Sequence, residues 1–152
     1  MIGNSRTLPR GKPGVSGESG EPPEQPVAPE NEDILSLLVN EPHVALQSGQ
    51  VLFTEGDPPS CMYVVKSGAL RIRSGGVIYE DVGPGGIIGE MGVIETQELR
   101  SATVHALTDS ELVEINDARF AQLIARAPSF AIAVMRTLSR RLRAMDRSDR
   151  TP

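Results

Sequence analysis

From Val44 to Leu112 the chain never stays apolar for long. The runs "VAL", "VLF", "MYVV", "ALRIR", "VIYEDV", "GGII", "ATVHAL" and "ELVEI" follow one another, each closed by glycine, proline or acidic residues. Short apolar runs punctuated at this spacing read as strands of a sandwich or barrel, about eight of them. "EGDPP" (Glu55 to Pro59) and "KSG" (Lys66 to Gly68) are the turns between strands, rich in residues that fix or tolerate turn dihedrals.

The flanks follow a different period. Asn31, followed by Glu32 and Asp33, reads as a helix cap with two acids in the first turn, ahead of an apolar stripe of Ile34, Leu35, Leu37 and Leu38. "NDARFAQLIARAP", from Asn116, predicts a capped helix with Phe120, Leu123 and Ile124 on one face and Pro128 ending it. A second helix is expected from about Ser129 to Met145. Its positions Ala131, Met135, Leu138, Leu142 and Met145 are spaced 4, 3, 4, 3, a short heptad seam. Such a seam serves a homodimer or packing onto the chain's own β-domain, one use on each face. Periodicity alone thus predicts an α+β, roll-like domain: an N-terminal helix, about eight antiparallel strands in a jelly-roll-like β-roll, and two C-terminal helices.

Met1 to Glu30 holds six of the twelve prolines and almost no large apolar side chains, so it is predicted to be a disordered tail. It has no apolar core of the kind a secretory signal needs, and no run approaches the roughly 20 apolar residues of a membrane helix. The expected domain therefore spans residues 31–147, with a short tail at 148–152, in the cytoplasm. Cys61 is the only cysteine, which excludes an intrachain disulfide, and His43 and His105 lie far apart. No nucleophile elbow, zinc motif or phosphate loop occurs, so no enzyme is expected and no metal or cofactor is implied.

The net charge of −5 hides a polarity, since the residues from Arg136 onward carry +4 and the rest −9. Arginines near a helix C-terminus offset the macrodipole and form a solvated face; an acidic partner or nucleic acid is the alternative use.

"GGIIGEMGVIETQELRSATV", Gly85 to Val104, concentrates the chemistry. Between Ser74 and Ala118 the only Lys or Arg is Arg100, amid nine acidic residues. Gly85, Gly86, Gly89 and Gly92 allow a ligand close to the backbone. A turn of helix over Glu90 to Ile94 would present free N–H groups to a phosphate. Arg100 offers a fork of donors matching two phosphate oxygens, and Ser101 a hydroxyl and an N–H. Glu90, acceptor-only when ionised, suits a sugar hydroxyl instead. An ion pair between Arg100 and Glu90, Glu95 or Glu98 on the surface is the competing reading.

"IIGEMGVIETQELRSATV" resembles the phosphate-binding cassette of the cyclic nucleotide-binding domain family, which includes bacterial catabolite activator proteins, regulatory subunits of cyclic-AMP-dependent kinase and cyclic-nucleotide-gated channels. "LFTEGDPPSCMYVVKSGALRI" (Leu52 to Ile72) resembles the same family's early strands, and the likeness extends over about Leu46 to Met145. The resemblance implies a β-roll holding cyclic AMP or cyclic GMP. Gly89 would give backbone contact, Glu90 would accept from the ribose 2′-OH, Arg100 and Ser101 would hold the cyclic phosphate, and Met91 would be a further ligand-binding residue. Ile72 and Val82 would face sugar and base, and the last helix would close over them. Three departures matter. The chain stops at Pro152 with no helix-turn-helix, so direct promoter reading is not expected. The activators' adenine-reading Thr-Ser pair falls at Met145 and Asp146. No channel, kinase-inhibitor or enzymatic segment is expected with it. The expectation is a stand-alone regulatory domain signalling to an effector protein; a ligand-independent interaction module on the same fold is the alternative.

Overall fold

The computed structural model describes residues 34–95 and 97–150, with no side chains described from 148 onward. The expected tail and the Asn31 cap lie outside the described residues; Ile34 to Ser36 are helical. Eight strands follow among the described residues: β1 (His43–Leu46), β2 (Val51–Phe53), β3 (Cys61–Ser67), β4 (Leu70–Ser74), β5 (Val77–Val82), β6 (Ile87–Ile88), β7 (Thr103–Ala106) and β8 (Ser110–Asn116). Helix α1 (Met91–Ile94) interrupts them, and α2 (Asp117–Arg126) and α3 (Pro128–Arg150) close the chain. The strands form two antiparallel four-stranded sheets, ordered β1-β8-β3-β6 and β2-β7-β4-β5.

Strand β3 shows why "MYVV" is a continuous apolar run. Its side chains alternate between the two faces of its sheet, and both faces are covered. Met62 and Val64 join a core with Ile34, Leu38, Ile115, Phe130 and Val134 beneath the helices. Tyr63 and Val65 point into the roll with Leu70, Val82, Ile88, Val104 and Leu112. The second sheet has a wet outer face instead, where the Arg71 guanidinium donates to both oxygens of Asp81 on the neighbouring strand.

Asn116 ends β8 and caps α2, its Oδ1 accepting from the Arg119 N–H at 2.8 Å. On the expected face of α2, Leu123 is buried and Phe120 packs against Phe130, whereas Ile124 stays 38 % exposed. Pro128 does more than stop this helix: it is the first residue of α3, where a missing N–H costs nothing. Helix α3 is accordingly longer than predicted and has two faces. Phe130 and Val134 are buried at 0 % and 3 % exposure, each such side chain contributing roughly 1.5–3 kcal/mol. Ile132, Met135 and Leu142 stay exposed on the other face, and Met145 is exposed near the helix end. No helix among the described residues is long and apolar enough to cross a membrane.

The β3–β4 turn depends on Gly68. Its φ is +88°, and a Cβ there would lie 2.2 Å from Ser110 Oγ and 2.5 Å from the Asp109 carbonyl oxygen. Gly68→Ala is expected to destabilise the domain by about 1–3 kcal/mol in a denaturant titration, through left-handed backbone strain and this clash together. Unchanged stability would mean that the turn can be built another way.

Candidate ligand-binding site

The two quoted stretches meet through their backbones. The Arg100 N–H donates to the Asp57 carbonyl at 2.8 Å, and the Gly56 N–H donates to the Arg100 carbonyl at 2.9 Å. The glycine-aspartate turn is thereby fastened to the arginine of the cassette. Asp57 also shapes its own turn, accepting from the Thr54 N–H. On the other side β6 runs into Gly89 at φ +74°, and Glu90 takes the cap position of α1.

Arg100 is not a surface residue. It is 6 % exposed, which removes the reading of a solvated ion pair. Its Nη2 donates to the Cys61 carbonyl at 2.6 Å and its Nη1 to the Gly89 carbonyl at 3.2 Å. The guanidinium lies 4.0 Å from the centroid of the Phe53 ring, a cation–π contact. Space for it comes from two glycines, since a Cβ on Gly89 or Gly92 would stand 2.8 or 2.6 Å from Nη1. Burial lowers the Arg100 pKa, partly opposed by nearby groups that include Asp57 and Glu90. Its Nε is buried with no hydrogen-bond partner, alone in this among buried side-chain nitrogens and oxygens of the described residues. A buried donor without an acceptor is costly, and each such exception calls for an explanation, a bound ion among them.

Glu90, 4 % exposed, is held by a residue the sequence did not single out. Arg141, on α3, donates through Nη1 to Glu90 Oε1 at 2.8 Å, through Nε to Glu80 Oε1 at 2.8 Å and through Nη2 to the Ile87 carbonyl at 2.6 Å. Burial works against the Arg141 charge, but Glu90 and Glu80 outweigh it and raise its pKa. The expectation of a solvated arginine face fails here, because the helix turns Arg141 inward beneath Phe130, Val134 and Thr137, at spacings of 4, 3 and 4 residues. That register was legible in principle; its acidic partners, more than fifty residues upstream, were not.

Gly89, Glu90 and Arg100 thus come together as expected. Val82 is buried and Ile72 half-buried inside the roll. Ser101 and Met91 are exposed beside the cassette, and Met145 and Asp146 are exposed near the end of α3. Phe53, against Arg100, and Glu80, bonded to Arg141, are candidate site residues that sequence reasoning missed.

Two antiparallel sheets rolled around an apolar interior, with a glycine-rich corner at one end and a helix bonded across it, make this domain a β-roll. Residues 43–127 match the model of the family described as the cyclic nucleotide-binding domain. The chain belongs to that family. It is 36% identical over 106 residues to lysophospholipase nte1 of Neurospora crassa, an overlap of 66% of this chain but 7% of that protein. The catabolite activator protein of Thermus thermophilus is similar at TM-score 0.65 and 32% identity, over 80% of this chain and 58% of its own. The cGMP-bound form of the EAL enzyme Bd1971 is similar at TM-score 0.54 and 30% identity, over 70% of this chain and 30% of its own.

Proposed function

We propose that this domain binds cyclic AMP or cyclic GMP between Arg100, Glu90 and the apolar wall of Ile72 and Val82, and reports occupancy through α3 to an effector protein. The observation that carries the reading is the buried, partnerless Nε of Arg100 beside the Gly89–Glu90 corner. An anion there supplies the missing acceptor, with Ser101 next in the chain to add its hydroxyl. Glu90 has acceptor capacity beyond Arg141, since an ionised carboxylate offers about four lone-pair sites. A ribose hydroxyl on Glu90 therefore touches the same carboxylate that holds α3. This is the coupling: the nucleotide moves the helix to the extent that it binds one helix position better than the other.

The exposed stripe of Ile132, Met135 and Leu142 gives α3 an output face, for an effector or a second copy of the chain. The alternative, an interaction module that needs no ligand, draws support from the Arg141–Glu90 pair, which satisfies both groups without a nucleotide. Calorimetry with cyclic AMP, cyclic GMP and their pyrimidine counterparts separates the two, with light scattering on the same samples to follow assembly. Micromolar heats with at least one purine nucleotide are expected, about 8 kcal/mol of binding free energy. Silence across the panel would leave the interaction module.

A further inference from the structure

Glu80 stands opposite Ile72 in the pairing of β5 with β4, as Val82 stands opposite Leu70. Side chains directly across a strand pair share a face, so Glu80 points to the same side as Leu70, Ile72 and Val82, the inside of the roll. A carboxylate there is otherwise out of place among apolar neighbours. Its neighbour Asp81 faces the other way and is spent on Arg71. Glu80 is not spent. Its Oε1 accepts from Arg141 at 2.8 Å, whereas its Oε2 has only a 3.5 Å contact from Arg140, whose side chain is 60% exposed.

The same guanidinium bridges Glu80 and Glu90, each at 2.8 Å, so the two carboxylates lie one guanidinium apart. In a nucleotide the base hangs from the ribose carbon next to the one bearing the 2′-OH. With the phosphate on Arg100 and the base against Ile72 and Val82, as in that reading, a ribose held by Glu90 has its base on the face that Glu80 shares. Resting on the nucleotide-binding reading above, we propose that Glu80 is a specificity-determining residue that selects guanine over adenine. Guanine presents N1–H and N2–H side by side, two donors for the two oxygens of one carboxylate. Adenine presents a single amino group there, and its N1 lone pair faces the second oxygen and is repelled.

Calorimetry on the full chain with cyclic GMP, cyclic IMP and cyclic AMP tests this. Hypoxanthine keeps N1–H and lacks the 2-amino group, so cyclic IMP isolates one of the two contacts. The wild type is expected to bind cyclic GMP about tenfold more tightly than cyclic AMP, with cyclic IMP between them. Glu80→Gln, whose amide pairs with adenine as readily as with guanine, is expected to bring the cyclic GMP to cyclic AMP ratio to about one or below, and Glu80→Asp to keep it above one. A merely structural role for Glu80 would weaken all three nucleotides together and leave the ratios alone. Equal wild-type affinities, a preference for cyclic AMP, or an unchanged ratio in Glu80→Gln overturns this inference while leaving nucleotide binding standing. A wild type that binds none of the three overturns both.

Discussion

Arg100→Ala is expected to lose nucleotide binding by roughly 10- to 150-fold, which takes a micromolar site to the edge of detection. One charge-assisted phosphate contact, at about 1.5–3 kcal/mol, is the origin of that range. The fold does not escape untouched, because Arg100 is buried. Without it the Cys61 carbonyl loses the guanidinium N–H, the Gly89 carbonyl keeps only the Gly92 N–H, and the Phe53 ring loses the cation stacked on it. A further drop of about 1–3 kcal/mol in unfolding free energy is expected, measured by urea titration beside the calorimetry. Arg100→Lys keeps the charge but not the fork of donors, and should fall between wild type and alanine in affinity. Wild-type affinity in Arg100→Ala would place the anion elsewhere.

Arg141→Ala is the second large effect, and it strikes the helix. Glu90 is left as a buried carboxylate beside a half-buried Glu80, with the charge that joined them gone. Breaking a buried pair from one side costs about 3–5 kcal/mol, less here to the degree that Glu80 reaches water. The loss should be local. Phe130 and Val134 still hold the first turns of α3, so faster amide exchange is expected from about Leu138 onward and not before it. Uniform exchange along α3 in the variant would show that Arg141 does not fasten the helix.

Local signals were readable in the sequence because their causes are local. The Asn116 cap, the Gly-Asp turn and the alternating strands each depend on neighbours within a few positions. The Glu90–Arg100 cassette was equally legible, since its glycines mark a corner that larger residues could not turn. What escaped was set by distance along the chain. Phe53 looked like one more strand residue until the fold laid it under Arg100. Arg141 looked like one more arginine of a basic helix, and only packing reveals that the apolar face of α3 carries it to Glu80 and Glu90. The strand order β1-β8-β3-β6 joins the two ends of the roll and leaves no trace in any short window. Pro128 was read as an ending because it can serve as either a stop or a start, and the next helix decides which.

Asn116 is at once the last residue of β8 and the cap of α2, and the segment between α2 and α3 is a single residue, Ala127. Neither junction has slack. A displacement at the end of β8, which is zipped to β1 on one edge and β3 on the other, therefore cannot be absorbed by a compliant tether. Under the reading proposed above, it would pass to α2 and α3 together instead of being lost at either joint.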